Sequence, residues 1–350
     1  MKVNYKFGKN FEDISDIKKF FIEEDKALFK KQKKLFKIYS KQPKRIFCKN
    51  CNKKLFGDSF NKIDIPYIYC KSCGHLNGKF QDTPKLAKYF YEDEDKDYSK
   101  FYISKKKTII DYKNRTNKIY TPKLNFVVKN LPLAKNNYSF LDVGCGAGHY
   151  VSAMKNIGIS SYVGYDPSKT MINFGNKINN FKNLNFIKMK DLANLLEKIK
   201  LKKPIILSMI GTFEHIYNNR EIIKSIKKNK NIKYFYISVP CYSFSTFVET
   251  VFDNNFQRLM APQHNHVYTD KSLKYFANEF KLKSIAEWWF GTDIFDLYRS
   301  FLMKIMKDKK NNGKSLEMFN QMYKPLLNDL QLIIDKNKKS SEVHILFKSN

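Results

Sequence analysis

The sequence predicts an α/β protein: a doubly wound sheet over residues 126–350, preceded by a basic helical segment and a small cysteine-built module. Three observations carry this. From about residue 126, short β-branched or aromatic runs alternate with helical stretches. A glycine-rich loop follows the first of these runs. Upstream, four of the six cysteines fall into two C-x-x-C pairs.

The 350 residues suit more than one unit, and 43% hydrophobic with 15% aromatic residues exclude a disordered chain. No run approaches 18 apolar residues, and the N-terminus has acids among its bases and no apolar h-region. The expectation is a cytoplasmic protein with no membrane span. The net charge of +32 has two explanations. A polyanionic partner is one. The other is base composition: nearly all the excess is Lys, alongside abundant Asn, Ile, Phe and Tyr, all with A/T-rich codons. Arg, the residue of bidentate RNA contacts, occurs only at Arg45, Arg115, Arg220, Arg258 and Arg299.

Residues 1–45 form the basic helical segment, in which Phe20, Phe21, Leu28, Phe29 and Leu35 share one apolar face. Residues 46–80 hold Cys48-Lys-Asn-Cys51 and Cys70-Lys-Ser-Cys73, separated by eighteen residues. Two such turns set four thiolates around a tetrahedral centre, the geometry Zn²⁺ prefers. Gly74 follows the second pair, where a left-handed residue turns backbone N–H groups towards sulfur. Disulfides are disfavoured in a cytosolic chain. A redox pair would need a βαβ unit beside it. The expectation is one structural zinc per chain on Cys48, Cys51, Cys70 and Cys73, with no open position for chemistry. Cys145 and Cys241 read as buried core thiols. Residues 81–125 form a Tyr-rich helical linker or lid that ends near Pro122 and contains the acidic run 92–97, read as a solvated face.

Strands are expected at 139–143, 161–165, 185–189, 204–210 and 233–239, each covered on both faces. In such a sheet the ligand lies beyond the carboxyl ends of the strands, where Gly144, Asp166, Asp191 and Gly211 fall. The loop spacing is G-x-G-x-G, with His149 where a dinucleotide fold would place its third glycine. Asp166, 22 residues after Gly144, can accept both hydroxyls of a ribose, and Asp191 can reach an adenine amino group. Either acid can instead be a helix N-cap.

Leu141-Asp142-Val143-Gly144-Cys145-Gly146-Ala147-Gly148 resembles motif I of the class I S-adenosylmethionine-dependent methyltransferases. Tyr165-Asp166-Pro167-Ser168 is similar to their ribose-binding motif, Lys190-Asp191-Leu192 to the adenine segment, and Gly211-Thr212-Phe213-Glu214-His215-Ile216 to the segment after strand four. The resemblance covers about residues 125–350 and implies a seven-stranded Rossmann-like sheet. Its strand six falls at 283–290 and its antiparallel strand seven at 342–348, with a helical insertion at about 293–336. It also implies Asp142, Gly144 and Gly146 near the methionine end of S-adenosylmethionine, Asp166 on the ribose and Asp191 on the adenine.

A sulfonium methyl is already activated, so the protein mainly aligns an acceptor, with a base where that acceptor is a hydroxyl or acidic carbon. His215 and His266 are the expected acid/base or acceptor-positioning groups; His266 stands in Pro262-Gln263-His264-Asn265-His266-Val267-Tyr268. No Asn-Pro-Pro-Tyr-type motif follows strand four, which argues against base-amino methylation. The chain resembles bacterial small-molecule and sugar methyltransferases, some of which carry a Cys-rich N-terminal module. The cysteine spacing departs from that of the sugar C-methyltransferases, so their catalytic residues are not transferred. A sugar or related metabolite is therefore the expected acceptor. The alternative is an RNA methyltransferase that grips nucleic acid with its zinc ribbon and Lys-rich N-terminus. A noncatalytic interaction protein does not fit an intact motif I.

Overall fold

The computed structural model describes residues 2–10, 20–93, 109–264, 266–307 and 313–349. The side chain of Phe20 and residues 94–97 of the acidic run lie outside them. Strands β1 (Asn4–Phe7), β2 (Ser59–Lys62), β3 (Ile65–Tyr69) and β4 (Leu76–Gly78) precede the larger part of the chain. There follow β5 (Ser139–Val143), β6 (Tyr162–Asp166), β7 (Leu184–Phe186), β8 (Ile205–Ile210) and β9 (Ile232–Pro240). The last are β10 (His266–Val267), β11 (Lys283–Phe290) and β12 (Glu342–Lys348).

The main sheet runs β1-β11-β12-β9-β8-β5-β6-β7, with β12 antiparallel to both of its neighbours. The seven strands from β5 onward, β10 apart, are those the sequence predicts. Isoleucines of the helix Asn219–Lys228 pack on Leu207, Phe235 and Ile237 on one face. Leu124, Val127, Tyr150 and Met154 pack on Ile206, Tyr236 and Trp288 on the other. Three helices between β11 and β12, Asp293–Lys307, Lys314–Tyr323 and Leu327–Lys336, form the insertion.

Three features depart from the sequence reading. Residues 4–7, read as part of a helical segment, are an eighth strand parallel to β11. Gly8 anchors it by donating to Trp289 O at 3.1 Å and accepting from Trp288 Nε1 at 2.8 Å. Pro122 does not end the helical stretch; a π turn at Thr116–Tyr120 carries Ile109–Arg115 into Thr121–Lys129, and Pro122 stands just beyond that turn. The cysteine module is not self-contained either. Its sheet is β10-β4-β3-β2, and β10 comes from residues 266–267.

The helix Asp25–Tyr39 buries Asp25, Gln32, Phe36 and Tyr39, on the same face as the half-buried Leu28, Phe29 and Leu35 that the sequence singles out. Polar anchors run down the middle of that face. The Asp25 carboxylate accepts from Phe256 N at 2.9 Å and from buried Arg299 at 3.1 Å, and Gln32 exchanges two hydrogen bonds with the Gln257 backbone. Phe36 and Tyr39 continue into the ribbon's core with Ile65, Tyr67, Leu76, Leu259 and Val267. Helix, ribbon and main sheet thus share one packed interior.

Candidate active site and cysteine centre

Each C-x-x-C pair is closed by a residue in the left-handed region, Asn52 (φ 55) and Gly74 (φ 74). The knuckles repeat one hydrogen-bond pattern: Asn52 N to Cys48 O at 2.9 Å and Gly74 N to Cys70 O at 2.7 Å. The four Sγ atoms converge, with Cys48 to Cys73 at 3.7 Å and Cys51 to Cys70 at 3.8 Å. A tetrahedral ion with Zn–S of about 2.3 Å sets sulfurs about 3.8 Å apart. Asn77 Nδ2 donates to Cys48 Sγ at 3.4 Å and Asn50 Nδ2 to Cys73 Sγ at 3.6 Å, orienting the ligands as amide donors do around metal thiolates. The set fits zinc.

A cavity of about 350 Å³ opens beyond the carboxyl ends of β5, β6, β8 and β9. Its floor is the loop after β5, where Gly144 takes φ 74 and a Cβ would lie 2.2 Å from Thr212 Oγ1. Only glycine fits there. Asp166 ends β6 buried; its Oδ2 accepts from Gly146 N at 2.7 Å and its Oδ1 from Ser168 N at 2.9 Å. Gly144, Gly146 and Asp166 all line the cavity. Across it, Tyr112 and Tyr120 stack on His149 at 4.0 and 5.2 Å between ring centroids.

Asp142 lies beneath this floor and does not line the cavity. Burial pushes its carboxyl up to about 7, against the hydrogen bond that Ser208 Oγ donates at 2.6 Å. The native state therefore holds a proton here that the unfolded chain has lost above about pH 4. Stability falls as pH rises towards 7, and above it the whole penalty is present. Asp142→Asn, a neutral isostere that keeps an acceptor for Ser208, is expected to raise the melting temperature at pH 8 and hardly at pH 5. A carboxylate that serves the cofactor's ammonium should show the opposite effect on affinity, with the variant binding cofactor more weakly. Equal melting shifts at both pH values would show that Asp142 is not the buried titrating group.

Asp191 is exposed at the start of the helix Leu192–Lys198 and does not line the cavity; Ile187, Met189 and Leu192 do. Glu92, from the run read as solvated, accepts from Met189 N at 3.0 Å instead. His266 is also displaced from its expected role. It is fully buried on β10, with Nε2 2.8 Å from Glu214 O and Nδ1 2.9 Å from His75 Nε2. The carbonyl requires a proton on Nε2, so Nδ1 accepts from His75. Burial, then Lys49 and neighbouring charges, hold both rings well below the usual histidine range. His266 braces the loop that carries Glu214 and does not face the cavity.

At the end of the cavity opposite His149, the histidines that line it are His215 and His264, whose rings stack at 4.8 Å. His215 Nδ1 lies 3.1 Å from Gln263 O and 2.8 Å from Tyr91 Oη, and His264 Nδ1 lies 3.1 Å from Leu259 O. Leu259 O can only accept, so His264 Nδ1 carries the proton and its Nε2 keeps a lone pair; His215 Nδ1 meets both a carbonyl and a hydroxyl, and donation to the carbonyl leaves its Nε2 lone pair free. Both Nε2 atoms stand 4.0 Å from Glu214 Oε1. Burial pushes the Glu214 carboxyl up to about 8, and its Oε2 is buried without a hydrogen-bond partner. Lys123 and Arg258 also line this end, but each faces a carboxylate, Glu342 at 3.5 Å and Asp296 at 2.9 Å.

Sequence reasoning placed His264 on the same rim as His266 and chose His266; it missed Glu214, Tyr91 and Arg258 as cavity residues. His264 and His266 are two apart, so alternation alone does not separate them; only the second enters a strand.

A family model described as a methyltransferase domain matches residues 112–287, half of the chain. No curated protein sequence matches. Among solved structures, a SAM-dependent methyltransferase from Archaeoglobus fulgidus is 17% identical, with 72% of this chain and 100% of that chain covered and a TM-score of 0.43. A putative sarcosine dimethylglycine methyltransferase from Galdieria sulphuraria is 13% identical, covering 67% and 86%, with a TM-score of 0.41. Coclaurine N-methyltransferase bound to N-methylheliamine and SAH is 13% identical, covering 71% and 76%, also at 0.41.

Proposed function

The chain belongs to the class I S-adenosylmethionine-dependent methyltransferases, and we propose that its acceptor is a small hydroxylated metabolite, a sugar or surface-polysaccharide precursor. The carrying observation is the acceptor end of the cavity. Tyr91 roofs it from the helical stretch Tyr89–Asp93, and its cations Lys123 and Arg258 are already matched by carboxylates. A polynucleotide would need a run of unmatched cations leading to the cofactor. A small polyol needs a few convergent polar groups, as Glu214, His215 and His264 supply.

Gly144, Gly146 and Asp166 would cradle the cofactor, which supplies a methyl group on a positively charged sulfur. His215 and His264 act as acceptor-positioning groups in place of the His215 and His266 pair expected from sequence. The four cysteines hold one structural zinc per chain, and its closed ligand set keeps it out of the chemistry. No helix among the described residues is long and apolar enough to cross a membrane.

Incubation with tritiated cofactor and either a panel of free and nucleotide-linked sugars or bulk RNA tests this reading. Label is expected in a sugar, and RNA binding is expected to be weak and shallow in salt. Label in RNA, with log affinity falling by about 0.7 per phosphate contact against log salt, would instead establish the nucleic-acid alternative.

A further inference from the structure

We propose that Glu214, His215 and His264 form a second metal centre, separate from the cysteine cluster, that binds one divalent first-row transition ion at the acceptor end of the cavity. The inference rests on the reading of this cavity as a methyl-transfer site, but its test does not. Two independent features support it. The first is ligand preparation. His264 spends Nδ1–H on Leu259 O, which fixes its tautomer, and donation from His215 Nδ1 to Gln263 O, with Tyr91 Oη beside it at 2.8 Å, selects the matching tautomer; two Nε2 atoms then stand at one carboxylate oxygen. Metal-binding histidines are commonly held in this way. The second is an unsatisfied gap. At 4.0 Å, neither Nε2 hydrogen-bonds Glu214 Oε1, and Glu214 Oε2 is buried with no partner. Three strong donors converge on a space that no group among the described residues fills.

Metal–ligand bonds of about 2.1 Å place neighbouring ligand atoms roughly 3.0–3.4 Å apart. Closure from 4.0 Å therefore needs less than about 1 Å of movement, within reach of the Glu214 side-chain torsions. Two imidazoles with one carboxylate suit Mn²⁺, Fe²⁺, Co²⁺ or Zn²⁺ better than the all-oxygen preference of Mg²⁺ or Ca²⁺. Three protein ligands leave positions open, unlike the closed four-thiolate set. Those positions face the cavity, where they would take oxygen atoms of the acceptor, a hydroxyl paired with a second hydroxyl or a carbonyl. The ion would acidify that hydroxyl, whose proton is lost to solvent. The oxygen then forms its bond to the methyl carbon as the S–CH₃ bond breaks, with the electron pair remaining on sulfur. The two histidines are ligands in this arrangement, and His266 a positioning residue beneath them.

The test is a metal count. Purified full-length protein is dialysed against micromolar Mn²⁺, Co²⁺ or Zn²⁺, and bound metal is measured by mass spectrometry. Wild type is expected to hold one ion more per chain than Glu214→Gln or His264→Ala, with affinity in the variants lower by at least about 100-fold, because loss of even an outer-shell partner costs 10–100-fold. Retention of the cysteine-bound ion in the variants reports that they remain folded. Glu214→Asp, which keeps the carboxylate, is expected to recover part of the binding. Equal metal content in wild type and both variants would overturn the proposal, as would failure of wild type to take up any of the three ions at this site. Cofactor binding is measured separately by titration calorimetry on the same protein before the metal dialysis, so its failure would count against the methyl-transfer reading and not against the metal centre.

Discussion

Stripping the metal from Cys48, Cys51, Cys70 and Cys73 is expected to abolish methyl transfer while leaving cofactor affinity within a few-fold of wild type. The ribbon's strands have two to five residues each, too few to hold a sheet by hydrogen bonds and apolar contact alone. Its turn makes matters worse, since Ile63 and Asp64 occupy left-handed backbone at φ 46 and 63, a conformation costly for a β-branched side chain. Zinc binding to such modules contributes on the order of 10 kcal/mol of folding free energy. What the ribbon supports is the acceptor end of the cavity. His75, two residues beyond Cys73, donates to His266, which in turn donates to the carbonyl of Glu214. Asn50, within the first knuckle, donates to Ser272 O at 3.0 Å, tying the thiolate cluster to the helix Asp270–Glu279. Motif I has no such dependence, because β5 is buried throughout in the main sheet, paired with β6 and β8. A mercurial thiol reagent with a chromogenic chelator should therefore release about one zinc per chain, with the melting temperature falling by roughly 10 °C or more. Cys70→Ser should mimic this. A metal-free protein with unchanged melting temperature and full turnover would show that the cluster has no structural role.

The main sheet was legible in the sequence because its signals are local. A strand such as β5, SFLDV, is a short run built on Phe140, Leu141 and Val143 that ends at its own glycine loop, and nothing distant is needed to recognise it. The same holds for the knuckles, where spacing alone gathers the four cysteines. What was not legible depends on contacts across long sequence separations. Strand β1 finds β11 some 280 residues away, and its sequence NYKF alternates polar and aromatic residues over only four positions, too few to mark a strand within a Lys-rich segment of helical texture. The ribbon's fourth strand comes from residues 266–267, so the boundary drawn at residue 80 cuts through a continuous sheet. The anchors of the N-terminal helix, Asp25 and Gln32, sit on the apolar face its own sequence suggests, but their partners Phe256 and Gln257 are more than 220 residues away. At the site the same division appears. The loop glycines and Asp166 follow from motif spacing. The choice of His264 over His266 depends on which side chain the pairing with Asn77 turns inward, information held by β4 and not by the histidine segment itself.

Asp166→Ala is expected to weaken S-adenosylmethionine binding by at least about 100-fold, whereas Asp191→Ala should change it by less than about threefold. The Asp166 carboxylate is buried and already accepts from Gly146 N and Ser168 N, one on each oxygen. A carboxylate has about four lone-pair sites, the capacity to accept a pair of ribose hydroxyls as well as backbone amides. Truncation to Ala removes those two charge-assisted acceptors, each worth ~1.5–3 kcal/mol. It also leaves two backbone N–H groups without their acceptor, one of them in the loop that forms the cavity floor. Asp166→Asn restores one oxygen but no charge, and should recover roughly half of the lost binding free energy. Asp191 differs in every relevant respect. It is exposed, caps no backbone N–H of the following helix, and does not line the cavity, whose adjacent wall is the side chains of Ile187, Met189 and Leu192. The adenine end is then held by apolar contact and backbone groups, with Glu92 fixing the Met189 amide. Titration calorimetry of the three variants against wild type decides the matter. Equal losses at Asp166 and Asp191 would mean that the bound cofactor draws the Met189–Asp191 turn inward and that Asp191 reaches the adenine after all.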